Sequence, residues 1–306
     1  MTDASERPDQ SPLTSPRSER VRKVAALTGR SARRKQGRFR IEGPQAVRSL
    51  LTHRPDLALE LFLTERAREA HPELASLAAR HRLPVREVDE KILRALVRES
   101  GPAAPRSADA DAGTAPPAGG APVTPQGAVA VGRLPAEEPA QVPTALRALP
   151  ADGPVTVVVL HEVRDPGNVG TLVRTADAAG ADLVLLTRTS ADPYSPKAVR
   201  ASAGSLFHLP VLTGAAIEEV LPALHDAALT AAATSGYAEA ELFTAELPAR
   251  LAWILGNEAH GLDDATLAAA PLAVRIPLAG HAESLNVHTA ATVCLYETLR
   301  RRRLEA

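Results

Sequence analysis

Five polar side chains in the second half of the chain have the types and settings for chemistry. Asn168 and Arg174 lie in "HEVRDPGNVGTLVRTADAAG", Glu258 in "LGNEAHGL", and Ser284 and Asn286 in "IPLAGHAESLNVHTAATVCLYE". A guanidinium, a carboxylate, two amides and a hydroxyl can bind, orient and polarise a ligand. Each also has an architectural reading. Asn168 follows the turn residues Asp165, Pro166 and Gly167 and is placed to cap a helix. Arg174, six residues into that helix, stands about 9 Å along its axis, with Asp177 in salt-bridge range. Gly256 and Gly261 allow a tight turn that presents Glu258. One of Ser284 and Asn286 caps the last helix, leaving the other for a ligand. Cys294, at a core spacing on that helix, reads as a small buried hydrophobe, and the run Arg300 to Arg303 complements the helix dipole.

The elements around these loops form an alternating pattern. "VTVVVL", "LVLL", "LFHLPVL", "LTAAA", "LAWIL" and "AVRIPL" are short apolar runs of the kind that form buried strands. Helices are expected at about 168–180, 215–224, 263–270 and 286–303. This is an α/β domain: a mostly parallel sheet with helices on both faces. Ligands of such sheets bind beyond the carboxyl ends of the strands, which is where the three polar loops fall. The first half reads as a smaller α/β domain, with helices "PQAVRSLL", "PELASLAARH" and "DEKILRALV" and strands "LALELFL", "PVREV" and "AVAVG". The expected organisation is a disordered tail over 1–19, a first domain over 20–133 with a disordered insertion at about 101–124, a linker over 134–153 and a second domain over 154–306. Between 101 and 127, 19 of 27 residues are Gly, Ala or Pro, too few large apolar groups to offset ordering entropy.

Charge is polarised along the chain. Residues 1–154 carry 24 Lys+Arg against 19 Asp+Glu, and residues 155–306 carry 11 against 17. The segment "GRSARRKQGRFRIEG" sets Arg30, Arg33, Arg34, Lys35, Arg38 and Arg40 against the single acid Glu42. Such clustering fits a phosphate-rich partner or a solvated basic arm. The single cysteine excludes an internal disulfide framework, and no apolar run reaches the ~18 residues of a membrane span. A cytoplasmic protein is expected. The strand loops carry no G-x-G-x-x-G, P-loop or G-x-S-x-G, and no Cys/His metal spacing occurs.

At its three polar loops the sequence resembles the SpoU (TrmH-like) family of RNA 2'-O-ribose methyltransferases, within the SPOUT knotted superfamily of S-adenosylmethionine-dependent enzymes. The matching segments are "DPGNVGTLVRTADAAGAD", "WILGNEAHGL" and "IPLAGHAESLNVHTAA", in order, with "YSPKAVRASAGSLFHLPV" between the first two. More loosely, residues from "RRKQGRFRIEGPQAVRSLL" to "TPQGAVAV" look like that family's L30e-like RNA substrate-binding domain.

The resemblance implies a deep trefoil knot in the C-terminal domain and S-adenosylmethionine as cofactor, with no metal. It assigns Arg174, Asn168, Glu258, Ser284 and Asn286 to the active site, and backbone around Gly256, Ile276 and Leu285 to the cofactor. It makes Arg33, Arg34, Lys35, Arg38 and Arg40 the expected RNA contacts, 23S ribosomal RNA the expected substrate, and a homodimer the expected assembly. A tRNA ribose methyltransferase, a drug-resistance enzyme acting on rRNA and a non-catalytic ribosome-assembly factor are the alternatives. One departure stands out: many members have Ser after "SLNV", where this chain has His288.

Overall fold

The computed structural model describes residues 13, 15–98 and 126–305. The insertion expected at 101–124, and most of the tail expected over 1–19, lie outside the described residues. Ser18 caps the first helix, α1 (Glu19–Ala25), by accepting the Val21 N–H. There follow α2 (Arg30–Gln36), β1 (Arg38–Glu42), α3 (Pro44–His53), β2 (Ala58–Leu63), α4 (Glu65–Ala70), α5 (Pro72–Arg80), β3 (Val85–Glu87), α6 (Glu90–Val97) and β4 (Ala128–Arg133). The strands form one sheet in the order β1-β4-β2-β3. "AVAVG" therefore returns to the first domain and sits at its centre, paired antiparallel to both β1 and β2.

The basic segment is folded, which corrects two expected RNA contacts. "RFRIE" is strand β1, and Phe39 and Ile41 alternate into a core with Val47, Leu50 and Leu61. Arg40 is fully buried; it donates to Glu42 at 2.8 Å and to the Leu96 carbonyl, at the carboxyl end of α6, at 2.6 Å. Arg33 is 2% exposed, donates to Asp192 at 2.6 and 2.9 Å, and holds the carbonyls of Leu27 and Thr28. Neither guanidinium can reach a phosphate without opening the fold. A buried cation is retained when acids and carbonyls satisfy it, and here they do. Arg34 is exposed and pairs with Glu137, whereas Lys35 and Arg38 face solvent.

The segment expected as a linker contains a helix. Within 134–153, α7 (Gln141–Arg147) buries Val142 and Leu146 beneath the large sheet. The chain continues through β5 (Val155–Leu160), α8 (Pro166–Ala178), β6 (Leu183–Thr187), α9 (Pro196–Ala201), β7 (Val211–Ala215), α10 (Ile217–Asp226), β8 (Thr230–Thr234), β9 (Ala240–Glu241), β10 (Arg250–Leu255), α11 (Asp264–Ala269), β11 (Leu272–Arg275) and α12 (Val287–Glu305). Strand order is β7-β6-β5-β10-β8-β11-β9, with every pair parallel. Helices α8 and α12 cover one face and α7 and α10 the other. Trp253 is buried in the layer under α8 and α12, and its indole N–H donates to Thr298 at 3.1 Å. Cys294 is buried in the same layer, and desolvation raises its thiol to about 12. The run after Arg300 is tied down: Arg300 and Arg301 hold Glu297, and Arg302 holds the carbonyls of Val155 and Ala249.

"LFHLPVL" is not one strand. Ser205–Phe207 forms a 3-10 turn, and β7 starts at Val211. The reason lies between the domains, because Leu206 and Phe207 leave the large sheet to enter the first domain's core beside Phe39. Phe39 meets Tyr194 edge-on at 4.9 Å and stacks on Phe207 at 6.3 Å. The Arg33–Asp192 pair and an Arg200–Glu42 bond of 3.0 Å flank this shared core. Removing one partner of a buried pair leaves the other uncompensated. Arg33→Ala should therefore cost about 3 kcal/mol in denaturant unfolding, while Lys35→Ala should leave the midpoint unchanged.

Candidate active site

The site is built where the loops after β5, β10 and β11 meet the starts of α8 and α12. Helix α8 starts at Pro166, and its cap is Asp165, not Asn168. The Asp165 carboxylate accepts the Asn168 N–H at 2.9 Å and the Lys197 ammonium at 2.6 Å. Its bond to Lys197 holds this carboxyl below its ordinary pKa, the backbone donors adding to the effect. Asp before Pro is a strong start signal, since proline costs nothing at the first helical position. With the cap supplied by Asp165, the Asn168 amide is free to turn outward, and its Nδ2 donates to Glu258 at 3.0 Å.

Glu258 collects the first turn of α8. Besides Asn168 it accepts the backbone N–H groups of Arg164, at 3.2 Å, and Asp165, at 3.3 Å. Partial burial pushes its carboxyl up, but these donors outweigh that and leave its pKa lowered. The "GNE" turn has one task per residue. A side chain at Gly256 would collide with the Gly261 and Leu262 backbone. Asn257 closes the turn by exchanging backbone bonds with Gly261 at 2.9 and 3.0 Å, and its amide holds the Glu162 carbonyl at 2.9 Å. Glu258 is thereby aimed across at α8.

Arg174 lies on the exposed side of α8, about 12 Å along the axis from Pro166. It has no hydrogen-bond or ion-pair partner among the described residues. Its expected alternative partner, Asp177, instead binds His208 Nδ1 at 2.7 Å, and His208 Nε2 meets Ser49 of α3 at 3.1 Å. The next residue on α8, Thr175, bonds His288 Nε2 at 2.9 Å. Desolvation lowers the His288 pKa, which favours a neutral ring there. Asn286 is the cap of α12: its Oδ1 accepts the His288 N–H at 2.9 Å, and its carbonyl accepts Ala290. The unoccupied member of the pair is Ser284, exposed and without a described partner.

Thus Asn168 and Glu258 touch, and the Thr175–His288 bond brings the Asn286 cap to the turn that carries Arg174. Ile276 and Leu285 are half-buried along the intervening loop, and Gly256 is buried behind it. No backbone group of residues 276–285 bonds to another described backbone group. A ten-residue run of main chain with no described backbone partner, offering its C=O groups and every N–H except at Pro277, with two apolar side chains beside it, suits a nucleoside-bearing ligand. Sequence reasoning missed Asp165, His208 and Ser49. The Asp-Pro pair signalled the first; the others are long-range contacts with no local mark.

Solved structures share this fold. An S-adenosylmethionine-bound rRNA methyltransferase from Sinorhizobium meliloti superposes with a TM-score of 0.75 at 28% identity, covering 96% of this chain and 99% of that one. The SpoU methyltransferase AviRb from Streptomyces viridochromogenes, in complex with the same cofactor, gives 0.72 at 25% identity over 94% and 99%. The fold and site thus define an S-adenosylmethionine-dependent methyltransferase of the SPOUT class.

The model of the SpoU rRNA Methylase family matches residues 155–296, and that of the MRM3-like substrate binding domain matches residues 18–104. The 23S rRNA (guanosine-2'-O-)-methyltransferase RlmB of Pseudomonas putida is 30% identical over 274 residues, 87% of this chain and 98% of its own length. The chain belongs to the SpoU rRNA methylase family.

The Glu258 arrangement carries a pH signature. A carboxylate held below its ordinary value of 4.5 contributes its stability in full above that value and loses it as pH falls through the folded-state value. Glu258→Gln should lower the thermal midpoint at neutral pH, and the gap to the parent protein should close in a titration from pH 7 to about 3.

Proposed function

We propose that this chain transfers the methyl group of S-adenosylmethionine to a ribose 2'-hydroxyl of 23S ribosomal RNA. The observation that carries this reading is Arg174, an exposed guanidinium held by no described residue, on the helix that Glu258 anchors beside the Ser284–Asn286 loop. Two relatives support the choice of RNA. RlmB of P. putida, above, is named for 23S rRNA, and so is the Streptomyces viridochromogenes 23S rRNA (uridine(2479)-2'-O)-methyltransferase, 33% identical over 57% of this chain.

The cofactor supplies an electrophilic methyl group on a positively charged sulfur. Backbone of the 276–285 loop, with Ile276 and Leu285 as apolar walls and Gly256 behind them, would hold it; no metal takes part in this reading. The knotted threading of this region belongs to the same proposal. A ribose hydroxyl is a weak nucleophile, so the protein must lower the cost of its deprotonation and fix its line of approach. Arg174 does not act as the base, because a guanidinium carries only N–H donors and has no lone pair to accept a proton. It binds the phosphate beside the target ribose and stabilises the alkoxide as charge develops, while that phosphate accepts the hydroxyl proton. Asn168, Ser284 and Asn286 orient the ribose, and Glu258 fixes Asn168. Lys35 and Arg38 remain as backbone contacts. We place the enzyme in the cytoplasm as a homodimer; Tyr296 and Leu304, 47% and 74% exposed on α12, give it apolar contacts on either side of Arg300.

Labelled S-adenosylmethionine offered with separate unmodified 23S, 16S and transfer RNA pools should yield a 2'-O-methylnucleoside in the 23S pool. Label only in transfer RNA, or none in any pool, would refute the assignment. Arg174→Ala should lower turnover at least ~100-fold with cofactor affinity unchanged, the loss typical of removing a group that stabilises an oxyanion. Sedimentation should give a dimer, and a monomer at micromolar concentration would exclude the assembly.

A further inference from the structure

The proposed RNA substrate needs phosphate contacts, and the fold has committed Arg33 and Arg40 to its interior. Guanidiniums without acid partners occur elsewhere in the first domain. A cavity of about 830 Å³ opens between α3, α4 and α6, and Arg48, Arg66, Arg94 and His71 stand on its wall with Glu90, while Glu73 faces His71 from 3.6 Å. Arg66 and Arg94 are exposed and have no hydrogen-bond or ion-pair partner among the described residues. Arg48 is steadied by Glu73. Gln45 and Gln126 add amides that can read base edges or sugar hydroxyls.

The backbone favours an anion here as well. Helix α3 enters the wall through Pro44 and Gln45, and Gly43, at its cap position, offers no side chain to its first N–H groups. Gly127, at φ +84°, lies where a side chain would strike Ala67 and Thr64, so bare main chain lines that part of the wall. A planar guanidinium fork matches phosphate oxygens better than an ammonium does, and the two open forks of Arg66 and Arg94 on one cavity wall suit successive backbone phosphates. The location also fits. Ser49, next to Arg48 on α3, meets His208, and His208 holds Asp177 one helical turn from Arg174.

We propose that this cavity is the RNA-docking site of the first domain, with Arg66 and Arg94 binding backbone phosphates of the substrate RNA. The assignment rests on the methyltransferase reading above and adds where the RNA is held. The test is binding of unmodified full-length 23S rRNA to the whole protein over a range of KCl, with methyl transfer followed in parallel. For the double variant Arg66→Gln, Arg94→Gln, affinity should fall about tenfold at physiological salt. The slope of log affinity against log salt should drop by about 1.4, the loss expected for two single-strand phosphate contacts. KM for RNA should rise, with kcat, cofactor affinity and the thermal midpoint unchanged. The Lys pair at the same positions should recover most of the affinity. If the parent protein methylates RNA and the Gln pair keeps both its affinity and its slope, the cavity assignment is overturned while the activity stands. If the parent transfers no methyl group but the Gln pair still loses affinity and slope, the activity fails and the docking site stands.

Discussion

The carboxylate of Glu258 is the constraint on which the site depends. It stands at the start of α8 and accepts three N–H groups from a single turn of chain, two of them backbone. The amino end of a helix leaves N–H groups without intrahelical partners and carries partial positive charge, so a fixed negative charge there satisfies both needs at once. The same bonds join the loop after β10 to the loop after β5. Those strands are neighbours in the sheet, paired from Arg250–Val155 to Leu255–Leu160, so their ends lie side by side before any loop forms. The sheet brings the loops together, and Glu258 fixes their relative orientation. Helix α8 then carries that orientation to Arg174, whose position depends on how the helix leaves its first turn.

Much of this was legible in the sequence because it is local. Apolar β-branched runs announce buried strands, and the polar loops sit at their carboxyl ends. The roles within those loops were harder to read. Asn168 looks like a cap because cap preference depends on residue type and proximity, and Asp165, three residues earlier, satisfies the same preference. The Arg174–Asp177 pair is permitted by helix spacing, but spacing cannot show that His208, 31 residues away, takes Asp177 first. The basic segment misled for a related reason. Charge density is visible in sequence; burial is not. Alternation in "RFRIE" turns Phe39 and Ile41 one way and Arg40 the other, and Arg40 is nevertheless buried because α6 covers that second face. A strand enclosed on both sides keeps an arginine only if acids and carbonyls meet it, and Glu42, Leu96 and Val97 do so.

The two domains are separate in sequence but share a core. Tyr194, Val199, Leu206 and Phe207 come from the methyltransferase half and pack with Phe39, Val47, Leu50 and Leu51 of the first half. Interfaces between domains of one chain are more often small and polar and allow relative motion. This one is apolar at its centre, with the buried Arg33–Asp192 pair at its edge. The first domain is therefore held in place by contacts, and the length of residues 134–153 does not govern its position.

That rigidity bears on how a SpoU enzyme can choose one ribose among thousands. The atoms that meet the target ribose read chemistry common to every nucleotide, so they cannot select by themselves. Selection requires a second point of contact at a fixed distance, and a mobile tether would blur that distance. Here α9 packs on β1 and against α8, where a side chain at Gly170 would collide with the Ala198 carbonyl and Ala201. The helix that bears Arg174 thus lies one layer from the first domain. The spacing between any RNA contact on that domain and Arg174 is fixed when the chain folds. In the proposed reaction a substrate must match that spacing before its ribose reaches Arg174, so the fold itself would serve as the measuring element.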